Sequence, residues 1–99
     1  MASSHILCDK TEIVLTYDTK EGYRTMSVPY DKIISITVGQ TEVRKLFRKV
    51  TTDKIEFKLR NREEPIIYTR IDEKEHFDKY IEDISKFAKD NKITLHNNL

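Results

Sequence analysis

The feature that most constrains this chain is a change of hydrophobic period between residues 71 and 77. Before it, apolar residues recur at every second position; after it, at every third or fourth. A period of two is that of a half-buried strand, and a period of 3.6 is that of one helix face. The order therefore predicts strands over about two thirds of the chain and a single helix after them.

The strands are read from their alternation. Ile13, Leu15 and Tyr17 alternate with Val14 and Thr16. Residues 18–22 then form a short loop in which Gly22 is free to take positive φ. Met26, Val28 and Tyr30 alternate with Thr25 and Ser27 in a second strand, paired antiparallel with the first. Pro29 lacks an amide donor, so that strand ends near it. After a turn at Tyr30-Asp31-Lys32, Ile34, Ile36 and Val38 define a third strand, closed by Gly39. Ile55, Phe57 and Leu59 alternate with Lys54, Glu56, Lys58 and Arg60, giving one dry face and one wet face. Residues 61–65 read as a hairpin loop, and Ile66 to Ile71 as the returning strand. His5 to Cys8 adds a short strand before a turn at Asp9-Lys10.

In the last third, Phe77, Tyr80, Ile81, Ile84, Phe87 and Ala88 fall on one helical face. Asp72 fits the N-cap, with Glu75 completing a capping box worth about 1 kcal/mol. Asp72, Glu73, Glu75 and Asp78 at the start, with Lys86, Lys89 and Lys92 at the end, complement the helix dipole. Asn91 fits the C-cap. The predicted helix, about 73–91, must bury its aromatic stripe on the dry side of the sheet.

Residues 43–50 stay open between two conformations. Val43, Leu46, Phe47 and Val50 match one face of a two-turn helix, with Arg44, Lys45, Arg48 and Lys49 opposite. As a strand the alternation fails at Leu46 and Phe47. Yet a hairpin continuing into 54–60 also accommodates the segment, because two turns of helix are too short to be stable alone.

Charge is balanced in total and segregated in detail. The chain of 99 residues has 18 Lys+Arg against 17 Asp+Glu, a formal net charge of +1, which excludes a generally cationic nucleic-acid binder. Residues 44–62, however, hold eight bases and two acids, between flanks that are both acidic. Arg44, Lys45, Arg48, Lys49, Lys54, Lys58, Arg60 and Arg62 are therefore the candidate anion or partner surface. Such a surface suits anionic lipid, at about 1 kcal/mol per base, or the phosphates of a polyanion. No aromatic is interleaved among these bases on the wet face, which disfavours single-stranded nucleic acid.

Other chemistry finds little support. His5 and Cys8 have a ligand-like spacing, but no second ligand pair of recognised spacing follows, so no metal or cofactor is expected. Cys8 in an apolar run reads as a buried small hydrophobe rather than a nucleophile, and catalysis is not expected. His76 reads as exposed. Glu63-Glu64 and Asp72-Glu73 read as loop and helix-start residues with capping and solubility roles. The tyrosines fall mostly on dry faces, and Tyr23, beside Gly22, is the one expected at an exposed contact. No apolar run is long enough to span a membrane. The start, Met1-Ala2-Ser3-Ser4-His5, has no secretory signal pattern, and Ala2 is not the glycine that myristoylation needs. A single cysteine fits a reducing compartment, so a cytoplasmic location is expected.

The order of elements is α+β: about six or seven antiparallel strands in a bent sheet or partly open barrel, capped by one C-terminal helix, in one domain over residues 1–99. With the stretch Arg24-Thr-Met-Ser-Val-Pro-Tyr-Asp-Lys-Ile-Ile-Ser-Ile-Thr-Val38, it resembles the bacterial pleckstrin-homology-like (PH-like, GRAM-related) domains. The resemblance implies a barrel or sandwich of about seven strands with the helix plugging one end, and so favours the extended form of 43–50. Lipid-binding members carry a basic cluster in the loop joining the first two strands. Here the early loops offer only Lys10, or Lys20 beside Asp18 and Glu21, so no phosphoinositide site carries over to any residue. What the resemblance implies is a non-catalytic scaffold that binds a protein or peptide partner or associates with itself. The alternative is a peripheral membrane or polyanion binder working through residues 44–62.

Overall fold

Among the residues described in the computed structural model, 5–99, the chain forms seven strands and one α-helix. They follow as β1 (Ile6–Cys8), β2 (Glu12–Thr19), β3 (Gly22–Pro29), β4 (Ile33–Lys45), β5 (Arg48–Leu59), β6 (Ile66–Thr69), α1 (Phe77–Asn91) and β7 (Leu95–Asn97). A 3-10 turn, Tyr30–Lys32, joins β3 to β4. The expectation drawn from Met1 to Ser4, that no secretory signal pattern is present there, falls outside the described residues.

The strands make two open sheets, β1-β2-β3 and β6-β5-β4-β7, so the fold is α+β with its helix after the main strands. The period-2 pattern does what it should. Ile13 and Leu15 of β2, Val28 of β3, Ile36 and Val38 of β4, and Ile55, Phe57 and Leu59 of β5 are all buried. Helix α1 completes this core with Phe77, Tyr80, Ile84, Phe87 and Ala88. Phe57 meets Tyr68 edge-to-face at 6.0 Å, at the centre of the core.

Ile34 is exposed rather than in the core, because a bulge between Ile33 and Ser35 inserts one residue into β4. The bulge shifts the face, and Ile33 takes the buried place instead. Strand β4 does not stop at Gly39 but runs on to Lys45. The sheet is not wholly antiparallel: β7 lies parallel to β4, with Ile36 opposite Leu95. That strand has no alternation long enough to read. It forms because the chain leaves the helix beside a free edge of β4.

Both helix ends also move. The N-cap is His76, not Asp72. Asp72 instead accepts from the Thr69 hydroxyl at 3.0 Å, while its own amide donates back to that hydroxyl at 3.3 Å, closing a turn before the helix. At the other end Asn91 is the last helical residue and Lys92 takes the left-handed cap, φ 55°. The Asn91 side chain is engaged elsewhere: its amide donates to the carbonyls of Lys10 and Phe87, both at 3.0 Å.

Cys8 is half-buried against the core. Burial, with help from the Asp83 carboxylate, pushes its thiol up to about 11. A rise of two units from the ordinary 9.0 leaves about a hundredfold less thiolate at pH 8. Higher intrinsic nucleophilicity recovers about tenfold of that, so alkylation by iodoacetamide at pH 8 should run roughly tenfold slower than for a free thiol. A rate equal to that of free cysteine would contradict this environment.

Candidate functional site

The open segment 43–50 is extended. It is the apex of the β4–β5 hairpin, in which Val43 faces Val50, Arg44 faces Lys49 and Lys45 faces Arg48. Leu46 and Phe47 form the two-residue turn. They belong to neither strand, so the alternation has no reason to include them.

Beyond the Gln40–Asp53 pair the hairpin becomes a two-stranded ribbon. β7 pairs with β4 only at Ile36 to Val38, and β6 pairs with β5 only at Lys54 to Phe57. Arg70 braces the root of the ribbon. Its Nε donates to Asp53 at 2.8 Å, its other arm reaches Asp78 at 2.9 Å, and its guanidinium lies 4.6 Å from the Phe77 ring centre. Arg70 thus ties the Asp53 carboxylate at the ribbon root to the Asp78 carboxylate and the Phe77 ring at the start of α1.

The tip breaks three local preferences at once. Leu46 and Phe47 are 91% and 103% exposed, although burying such side chains is worth roughly 1.5–3 kcal/mol each. Leu46 sits at φ 52°, a conformation that costs a non-glycine residue roughly 1–2 kcal/mol. Arg44 against Lys49, and Lys45 against Arg48, put like charges directly across the ladder, which is destabilising. Residues facing each other share a face of the ribbon, and successive pairs alternate. One basic pair therefore lies on each face, both next to the apolar apex. Among the described residues, the ion pairs found involve none of these four bases.

The other four candidate bases are not part of this tip. Lys54 is half-buried and paired with Glu56 at 2.7 Å. Lys58 projects from the wet face of β5. Arg60 donates from Nε to the Asp31 carbonyl at 2.9 Å. Arg62 lies 5.1 Å from the Tyr17 ring centre. From Lys49 to Arg60 the strand runs roughly 35 Å, several times the screening length of about 8 Å at physiological salt. The basic segment thus acts as two separate groups rather than one field.

A second cluster occupies the seam between the sheets. A cleft of about 510 Å³ there is lined by residues that include His5, Tyr17, Tyr23, Arg62, Tyr68 and Glu73. Glu73 is only 8% exposed, although the sequence places it at a wet helix start. His5 donates from Nδ1 to its carboxylate at 2.7 Å, and the Tyr80 hydroxyl donates to it at 3.1 Å. The His5 amide donates in turn to the Tyr80 hydroxyl at 2.8 Å. Tyr23 is exposed and stacks on the His5 ring at 5.7 Å. Tyr68 donates its hydroxyl to the Thr16 carbonyl at 2.9 Å across the seam, and burial raises its pKa, with Glu73 adding to the shift. The His5, Glu73 and Tyr80 contacts fasten the start of β1 to α1, and the Tyr68 hydroxyl fastens β6 to β2.

His76 is half-buried rather than exposed, its ring 5.9 Å from that of Tyr80. Among the described residues no three His, Cys, Asp or Glu side chains are grouped to hold a metal ion. No helix of the described residues is long and apolar enough to cross a membrane. No family model, no curated protein and no solved structure matches this chain.

Proposed function

We propose that this chain is a non-catalytic interaction module that docks on an anionic membrane surface through the tip of the β4–β5 ribbon. The observation that carries this reading is the exposed Leu46–Phe47 apex held between two basic cross-strand pairs. Lysines alone on a ribbon protect it from edge-to-edge aggregation. A protective tip has no use for Leu46 and Phe47. An interfacial one uses both parts, because apolar and aromatic side chains settle at the headgroup boundary while bases meet lipid phosphate.

The chain contains no tryptophan, so Phe47→Trp gives a unique fluorophore at the apex. Its emission should shift to the blue on adding vesicles of phosphatidylcholine with about one third phosphatidylserine, and stay unchanged with phosphatidylcholine alone. In co-sedimentation with the same vesicles, Arg44→Glu/Arg48→Glu should weaken binding at least tenfold. Absence of a blue shift together with absence of pelleting at low salt would sink the proposal. So would tighter binding to duplex DNA, or retention of the charge-reversed variant. Saturable assembly into dimers or larger forms without any vesicle binding would replace it with self-association.

Leu46→Gly separates fold from function. Glycine accepts positive φ without strain, so this variant should be about 1 kcal/mol more stable than the parent in urea unfolding. It should nevertheless bind vesicles more weakly. Lower stability would show that Leu46 packs against the body rather than serving the tip.

A further inference from the structure

We infer that the ribbon tip reads the charge density of an anionic membrane and not the identity of its headgroups. This rests on the membrane reading above and goes beyond it by naming the class of lipid recognition.

A headgroup-selective site needs donors that converge in a concavity, so that several meet one phosphate in fixed geometry. The tip has the opposite geometry. Arg44 and Lys49 occupy one face of the ribbon and Lys45 and Arg48 the other, and the convex Leu46–Phe47 apex stands between them. The clefts of about 510, 500, 290 and 240 Å³ are lined at other places in the fold, and none includes any of the four tip bases. All four bases are exposed. Ion pairs within the described residues do not hold any of them in a fixed orientation.

Divergent, exposed positive charges around a wedge attract any nearby phosphate about equally. A single headgroup cannot touch both faces, so the tip must gather several lipids around itself. The apolar apex contributes the same with every anionic lipid, because Leu46 and Phe47 meet the boundary below the headgroups. Guanidinium geometry is then unimportant, and lysine should replace arginine at little cost.

The test uses phosphatidylcholine vesicles doped with phosphatidylserine, phosphatidylglycerol or a phosphatidylinositol bisphosphate, matched for surface potential. The wild-type chain should bind all three within about threefold. Arg44→Lys/Arg48→Lys should also bind within about threefold of wild type. Raising salt from about 0.1 M to about 1 M cuts the screening length from about 10 Å to about 3 Å and should weaken binding at least tenfold. The inference is overturned, with the membrane reading left standing, if one lipid binds tenfold tighter at matched potential. Competition by a soluble inositol phosphate at stoichiometric amounts, or a tenfold loss in the lysine variant, has the same meaning. Binding to none of the three vesicles removes the membrane reading, and this inference with it.

Discussion

Phe57→Ala is expected to cost about 3–5 kcal/mol of folding stability, the usual range for deleting a fully buried phenyl ring. Phe57 has no exposed surface, and its edge-to-face contact with Tyr68 is lost together with its volume. The site cannot easily collapse, because β5 is held on both sides by β4 and β6. A domain of this size has a total stability of about 5–15 kcal/mol, so the loss is a large fraction of it. Thermal unfolding followed by circular dichroism should show a midpoint lower by roughly 20 °C. A loss under about 1 kcal/mol would mean that β5 is not the centre of the core.

Glu73→Ala is the second large effect, expected at about 2–3 kcal/mol because the buried Tyr80 hydroxyl loses its acceptor and the His5 ring its partner. Tyr80 is 1% exposed, so water does not readily replace the carboxylate. The loss should be uneven across the molecule. His5 precedes β1, and β1 pairs with β2 through only three residue pairs, so the β1 amides should exchange with solvent faster than those of β4 or β5. Hydrogen exchange measures this directly. Glu73→Gln, which keeps an acceptor for Tyr80, should recover part of the stability. Unchanged stability and unchanged β1 exchange in Glu73→Ala would show that the cluster does not fasten the strand.

These two residues differ in how far they can be read from sequence. Phe57 announces itself, since Ile55, Phe57 and Leu59 alternate with charged neighbours on one strand. Glu73 does not. Its neighbours Asp72, Lys74 and Glu75 are polar, and its burial depends on His5, sixty-eight positions earlier. The ribbon tip lies between these cases. Its composition was evident, with Leu46 and Phe47 flanked by four bases, but helix and hairpin both satisfied the pattern. Pairing across Val43 and Val50 decided it, since a hairpin frees the two turn residues from the strand alternation.

By itself the sequence determined what depends on neighbours along the chain: the strand period, the 3.6 period of α1, the loop at Gly22, the stop at Pro29 and the segregation of charge. The tertiary structure alone decided which edges met. It placed β7 parallel on β4, put the bulge at Ile33 to Ser35, buried Glu73 beneath His5 and Tyr80, and divided the basic segment between the ribbon tip and the far end of β5. The physical reason is that periodicity records which side of an element is dry, a local property. Edge pairing, burial of a single carboxylate and the distance between charges depend on where remote backbone and side chains arrive.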